Sequence, residues 1–584
     1  MTLSTTTCHP SPLLAPTMIC HPSLLLAPTM ICHPSPQAED PLLALALAPE
    51  VTQGFSLGTP RPTTRRGFNP WGKPSLPPSQ NPTPLDKHPL QTPPKSPQSP
   101  RHTPQTPIPS PNLTPLSNVL WTKKGGGGVS RLTAVFLLAA CTLATQAQNK
   151  VQATKFGAKP DGTTLNTTAI QKAIDSTPEG STLTFAPGTY LTGSLFLHSG
   201  ITLEIPEGTT LIGSEHLVDY KQLPTRIAGI EMTWPSALLN VRDATNVTIT
   251  GKGTIDGDGP IWWKSYWDLR KVDEPKGLRW ASDYDAQRPR LTLIQNSSNV
   301  HLGGGITLKR SGFWTVQILY SHDVVVDGVT IRNNEGGKGP STDGIDIDSS
   351  HDILVAHADI DVNDDALCLK SGRDSDGLRV NRPTYNVVLR DSIIRHGAAA
   401  VTIGSETSGG FRNIEAYNLT ALAPVGSGVL IKSAHTRGGW ADDIRFHDIT
   451  LTGVAIPIHI TMNWNPSYSY ATIPAGVDRA TMPSYYTTLT TVVPEAQGLP
   501  HFRNVHIWNI HATGARIAIQ AAAYPNATLD TFRIDHVDIQ AQTAGTIADA
   551  RNWTLTDNHI QTADGSTLTF TNTPPKEPTA FGDR

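Results

Sequence analysis

Three aspartates carry the chemistry this sequence announces. Asp343 stands in Gly339-Pro340-Ser341-Thr342-Asp343-Gly344-Ile345-Asp346, and a pair stands in Asn363-Asp364-Asp365-Ala366-Leu367. Asp343 precedes the pair by 21 and 22 residues, inside a run of short β-branched strands. That interval suits one coil of a parallel β-helix, where residues one coil apart become lateral neighbours at about 4.8 Å. Three carboxylates gathered on one surface repel each other, which raises at least one pKa. One protonated acid beside one ionised base is what glycoside hydrolysis requires, so the expected chemistry is cleavage of a sugar linkage.

The elements that must position these residues are legible as a repeat. Asn or Asp followed by alternating apolar residues recurs at Asn246, Asn299, Asp323, Asp352, Asn386, Asn413, Asp443 and Asn504. Most of these runs are followed by a second short strand, as in Gly328-Val329-Thr330-Ile331. Period-two alternation marks strands, and a repeat of this length marks a solenoid. Helical solenoids are excluded because no apolar 3.6-residue pattern runs through the units. A β-propeller is the main rival, but its blades are longer, about 40 residues, and return antiparallel. The expected fold is all-β, a single-stranded right-handed parallel β-helix of about ten coils. Thr168–Thr177 is the one clear amphipathic helix and is expected to cap the N-terminal end of the core.

The two ends of the 584-residue chain differ in kind. By Pro115 the chain has used 27 of its 49 prolines, and four of its five cysteines lie at or before Cys141. A Pro/Ser/Thr-rich segment of this sort buries too little apolar surface to offset its chain entropy. Residues 1–128 are therefore expected to be a disordered low-complexity extension, upstream of the true start. Within it a nonapeptide recurs at Ala15–Ser23 and Ala27–Ser35, with Cys8, Cys20 and Cys32 in step. The ligand order lacks the paired spacing of metal sites, so no chemistry is assigned to it. Residues 129–147 have a basic flank, a short apolar core and small residues at the end, the marks of an export signal peptide. The core is shorter than the roughly 20 apolar residues that span a bilayer. Leu138-Ala139-Ala140-Cys141 also has the form of a lipoprotein signal, which would make Cys141 a lipid anchor. Residues 148–584 are then the exported catalytic domain, with Cys368 its single thiol. A net charge of −3 argues against nucleic acid as a partner.

From Val151 to about Thr573 the chain resembles the polygalacturonase family, glycoside hydrolase family 28, of the bacterial exo-acting type. The resemblance is carried by Ser341-Thr342-Asp343, Asp364-Asp365 with Lys370-Ser371-Gly372, Ile403-Gly404-Ser405-Glu406 and Ile431-Lys432. Gly253-Thr254-Ile255-Asp256-Gly257 and Phe156-Gly157-Ala158 support it. The resemblance implies that Asp364 is the general acid, that Asp343 and Asp365 activate the water, and that the reaction inverts configuration. Lys432 then holds the carboxylate of the sugar, a charge-assisted contact. Three departures bear on binding. Ser341 stands where the family has Asn. The family histidine would fall at Ala398 or Ala399, and His396 could replace it if a β-bulge shifts the register. Leu430 replaces an arginine that would grip a carboxylate bidentately, and Arg437 is the nearest arginine able to compensate. The insertion Arg373–Pro383 resembles one that walls off the cleft in exo-acting members. Trp262, Trp263, Trp267, Trp280 and Tyr266 could stack on sugar rings or fill a core. Trp464, Tyr468, Tyr470, Tyr485 and Tyr486 lie on a long segment able to roof the cleft.

The expected function is an exported, monomeric glycoside hydrolase acting on α-galacturonosyl linkages of pectic chains, with no metal and no cofactor. Three alternatives stand beside it: a hydrolase of rhamnogalacturonan fragments, a pectate-type lyase that binds calcium through carboxylates, and a non-catalytic carbohydrate-binding β-helix.

Overall fold

The computed structural model describes residues 149–573, apart from 479. The low-complexity extension 1–128, the export signal 129–147 and Cys141 lie outside the described residues.

Helix α1 (Thr167–Asp175) turns Ile170, Ala173 and Ile174 into the first coil and closes that end of the core, as its amphipathic pattern predicts. A hairpin of β1 (Gln222–Ile227) and β2 (Ile230–Pro235) is the one antiparallel pairing between named strands among the described residues. Every other strand pairs in parallel with the strand one coil away, in three rows of rungs. One row contains β3 (Val316–Leu319), β4 (Ile345–Asp348) and β5 (Leu367–Lys370). A short helix, α2 (Asp374–Val380), follows within the insertion. The row then continues into the end of β6 (Thr384–Ile403), β7 (Val425–Lys432) and β8 (Ile456–Thr461). From Leu195 to Phe570 the row contains twelve rungs, rather than about ten.

Within this row Val316, Ile345, Leu367, Val401, Val429 and Ile458 stack in register and point into the core. The alternate positions face the opposite way. Gln317, Asp346, Cys368, Thr402, Leu430 and His459 form one outward line, and Asp348 pairs with Lys370 on the next. Polar and charged side chains thus lie along the outer face of a stack whose inner face is aliphatic.

The structure also explains the recurring Asn and Asp. All eight positions, from Asn246 to Asn504, adopt left-handed backbone with φ between 51° and 58°. Asn and Asp enter that region more readily than other side chains except glycine, so one such residue opens a strand in coil after coil. Several bond to their neighbours along the stack, as Asn386 Nδ2 does to Asp352 Oδ1 (2.9 Å) and Asn413 Nδ2 to Asn386 Oδ1 (2.8 Å).

Candidate active site

The coil joining Asp343 to the pair is 22 residues long. Gly344 N–H donates to the Asp365 carbonyl, and Ile345 pairs with Leu367. This register sets Asp343 beside Asp365 at the mouth of β4 and β5, with Asp364 one residue earlier. Asp343 and Asp365 are buried, whereas Asp364 keeps partial exposure. A carboxylate oxygen of Asp343, one of Asp365 and the Cys368 thiol lie within 4.8 Å of one another.

Their environments differ in kind. Asp365 Oδ2 accepts from Lys432 Nζ at 2.7 Å. Burial pulls the Lys432 ammonium down, but Asp365 and Asp364 outweigh it, and its pKa lies above the usual lysine range. Asp364 accepts the backbone N–H of Asp365 at 3.0 Å. Burial, and next the charge of Asp365, push its carboxyl up to about 6. Asp343 is raised well above the ordinary range, by burial first and then by Asp346 and Asp364. One carboxyl poised to carry a proton thus stands beside another that is paired with an ammonium, the contrast an acid and a base require.

A second cluster adjoins the first, and the sequence reading assigned it no role. Lys370 Nζ lies 3.4 Å from Asp343 Oδ2, 3.5 Å from Asp346 Oδ1 and 3.4 Å from Glu406 Oε2. It sits 4.8 Å from the centre of the Trp314 ring. Burial pushes Glu406 up, but Lys370, Arg437 and Arg373 prevail and hold it down at about 2. Burial chiefly raises Asp346, to about 8. The signal for this cluster was available: period-two alternation in Ile345-Asp346-Ile347-Asp348 puts both acids on one face, and a 22-residue coil sets Cys368 and Lys370 beside them.

These shifts have a consequence for stability. A carboxyl whose folded pKa lies above its unfolded value binds more protons in the folded state, so stability falls as pH rises between the two values. For Asp364 that window runs from the ordinary value of 3.8 to about 6, and for Asp346 from 3.8 to about 8. Glu406, held low, opposes this only under acid conditions, where its stabilising charge is lost. The melting temperature is therefore expected to fall from about pH 5 to pH 8. Asp346→Asn should flatten the upper part of that slope, as differential scanning calorimetry can measure. A melting temperature that rises over this range would contradict the protonated cluster.

The remaining predicted residues divide. His396 is brought to the site's flank by the anticipated bulge: Ile360 pairs with Ile394, but Asp361 pairs with His396, skipping Arg395. Its Nδ1 bonds the Val362 carbonyl, two residues before Asp364. Lys432 lies at the site, but its nearest partner is Asp365. Ser341 and Arg437 are engaged by other protein groups. The Ser341 hydroxyl donates to Asp283 Oδ1 at 2.7 Å, so it fastens its loop to the segment Ser282–Asp285. Arg437 is fully buried; Nε donates to the Ser405 carbonyl at 3.1 Å and Nη1 to Asp374 Oδ1 at 2.5 Å. Its guanidinium braces the insertion and does not compensate for Leu430. That leucine is itself buried, between Thr402 and His459. Trp262, Trp263, Tyr266 and Trp280 are buried and serve as packing. Trp464 lies with its ring centre 4.5 Å from Lys432 Nζ, and Tyr468 donates to Glu406 Oε1 at 3.1 Å.

The insertion forms a braced wall. Asp376 Oδ2 accepts the Glu231 N–H (2.8 Å), Arg373 Nη1 donates to the Tyr284 hydroxyl (2.9 Å), and Ser375 Oγ donates to the Thr488 carbonyl (3.2 Å). At the tip of the β1–β2 hairpin, Gly229 (φ 89°) packs against Arg373 and Glu406, where a Cβ would clash with both. This wall reaches the Lys370 cluster through Glu406.

Asp343, Asp365 and Cys368 are close enough to hold a cation. A calcium site requires six to eight oxygen ligands. Here the acids already bear two ammonium groups, Lys432 on Asp365 and Lys370 on Asp343, so the residues present do not fit calcium.

Fold and site together define a parallel-coil solenoid with a carboxylate centre on its outer face. Residues 197–482 match the model of Glycosyl hydrolases family 28. Residues 150–228 match Rhamnogalacturonase A/epimerase, pectate lyase-like. An exo-poly-alpha-D-galacturonosidase of Dickeya chrysanthemi is 29% identical over 351 residues, covering 54% of this chain and 57% of that protein. A probable polygalacturonase of Vitis vinifera is 31% identical over 321 residues, covering 53% of this chain and 62% of its own length. The chain thus spans less than two thirds of these two relatives. A hyperthermoactive exopolygalacturonase from Thermotoga maritima shares the fold, with a TM-score of 0.59 at 24% identity over 71% of this chain and 92% of that one.

Proposed function

We propose that this chain is an exported glycoside hydrolase that removes α-linked galacturonic acid residues from the ends of pectic chains, with inversion. The observation that carries this reading is the contrast at the site: Asp364, its carboxyl pushed up to about 6, stands beside Asp365, whose Oδ2 accepts from Lys432 Nζ at 2.7 Å. Asp364 protonates the leaving oxygen, and Asp343 with Asp365 draws the proton from the attacking water. Lys432 turns its remaining N–H groups to the sugar carboxylate, and His396 flanks the bound ring. The braced insertion, which packs with Glu406 around Gly229 and so adjoins the Lys370 cluster, supports exo action. The solenoid is read as right-handed, the hand that parallel strand crossovers adopt almost always. Residues 148–584 act as the catalytic domain, as a monomer, after export directed by residues 129–147. N-terminal sequencing of the native protein tests that boundary and the lipid at Cys141.

Leu430 favours a second reading. Without an arginine at that position one sugar carboxylate loses its bidentate partner, as expected if a neutral sugar lies there in a rhamnogalacturonan fragment.

Purified protein incubated with polygalacturonate, oligogalacturonides and rhamnogalacturonan fragments, with and without chelator, tests both. The expected result is short saturated products, released without an early fall in viscosity and unaffected by chelator. Chelator-sensitive unsaturated products, or no product from any of these substrates, would overturn the proposal.

A further inference from the structure

Asp346 is the buried acid that this mechanism leaves unused. It is wholly inaccessible to solvent, and neither carboxylate oxygen receives a hydrogen bond from a donor group among the described residues. Its nearest cation, Lys370 at 3.5 Å, is shared with Asp343 and Glu406, and the buried Arg290 guanidinium acts on it from farther off while also facing Asp348. A buried carboxylate so poorly compensated is costly, and such a group takes up a proton instead. The Asp343 carboxyl lies within hydrogen-bonding reach and is raised as well, so the two acids compete for one proton between them. The other ionisable groups acting on the pair are Arg290, Asp348, Asp364 and Asp365, and the Cys368 thiol adjoins it.

We propose that Asp346 is a positioning residue whose carboxyl keeps the single proton of the Asp343–Asp346 pair, so that Asp343 faces the attacking water as a carboxylate. The inference rests on the hydrolase reading above. When the anomeric C–O bond breaks, its electron pair goes to the leaving oxygen, which takes the proton of Asp364. The water's proton passes to Asp343 as the new C–O bond forms, and returns to solvent after release. Asp346 donates a hydrogen bond throughout and is neither consumed nor exchanged. Lys370, between the two, holds their geometry and prevents both from protonating at once.

The test compares Asp346→Asn with Asp346→Leu in the full chain. Asparagine keeps an N–H donor toward Asp343, so kcat should stay within about threefold of wild type, while leucine should lose about 10²-fold. The acid limb of the pH–rate profile should stay in place for asparagine and move to higher pH for leucine, because Asp343 then lacks its donor. A third readout does not depend on turnover. Near neutral pH the infrared spectrum of wild type should contain a protonated-carboxyl band that Asp346→Asn lacks, even if the leucine variant fails to fold. The proposal is overturned if both variants match wild type, if asparagine loses as much as leucine, or if the band is absent. Wild-type release of galacturonate alongside any of those results would sink the role of Asp346 and leave the hydrolase reading intact. A wild type without activity on pectic substrates would sink the hydrolase reading instead.

Discussion

Asp364→Asn is expected to lower kcat by about 10²–10⁴-fold with little change in KM, since the proton it donates is needed only as the glycosidic bond breaks. The variant keeps the volume of the side chain and an oxygen to accept the 3.0 Å contact from Asp365 N–H, so the fold should be undisturbed. In wild type the rate should fall as pH rises through about 6, where Asp364 gives up its proton, and that limb should vanish in the variant. A galacturonide with an aryl leaving group of low pKa needs no protonation, so on that substrate the variant should recover most of its rate. An equal loss on both substrates, or a loss confined to KM, would show that Asp364 is not the acid.

The second large effect concerns stability. Arg226, on β1, donates to Asp348 Oδ1 at 2.9 Å and to Ser349 Oγ at 2.7 Å, and both members of the ion pair are fully buried. The pair bolts the β1–β2 hairpin to the rung that bears Asp346 and Asp348. Replacing Arg226 with Met removes the paired cation and leaves Asp348, among the described residues, with the Gln317 amide at 3.3 Å as side-chain donor and Arg290 as a more distant charge. Breaking a buried pair from one side costs about 3–5 kcal/mol, because the other charge stays behind without compensation. Chemical denaturation should show that loss in the midpoint with an unchanged slope. Replacing both members, Arg226→Met with Asp348→Leu, should recover a substantial part, since a matched apolar pair often equals a buried ionic one. A single-variant loss under about 1 kcal/mol would mean that solvent reaches Asp348 once Arg226 is gone.

Most of the fold was written in local pattern. Alternating apolar residues mark strands, and the Asn or Asp that opens each one marks a left-handed residue that coil after coil repeats. The interval from Asp343 to Asp364 and Asp365 is likewise local information, because a 22-residue coil leaves the register little freedom. The bulge that brings His396 beside Val362 could be named in advance as a condition, but nothing in the sequence decided it.

Partnership was decided by tertiary structure. Ser341 and Arg437 have the right chemistry for a sugar, yet packing had already given their hydrogen bonds to Asp283 and Asp374. Asp346, Lys370 and Glu406 stand in the motifs that point to the site, but their meeting depends on Lys370 reaching across rungs from separate coils. Spacing along a solenoid determines which residues become neighbours. Which of them remain free for a substrate depends on the hairpin and insertion packed over that face, and one-dimensional periodicity carries no information about such distant segments.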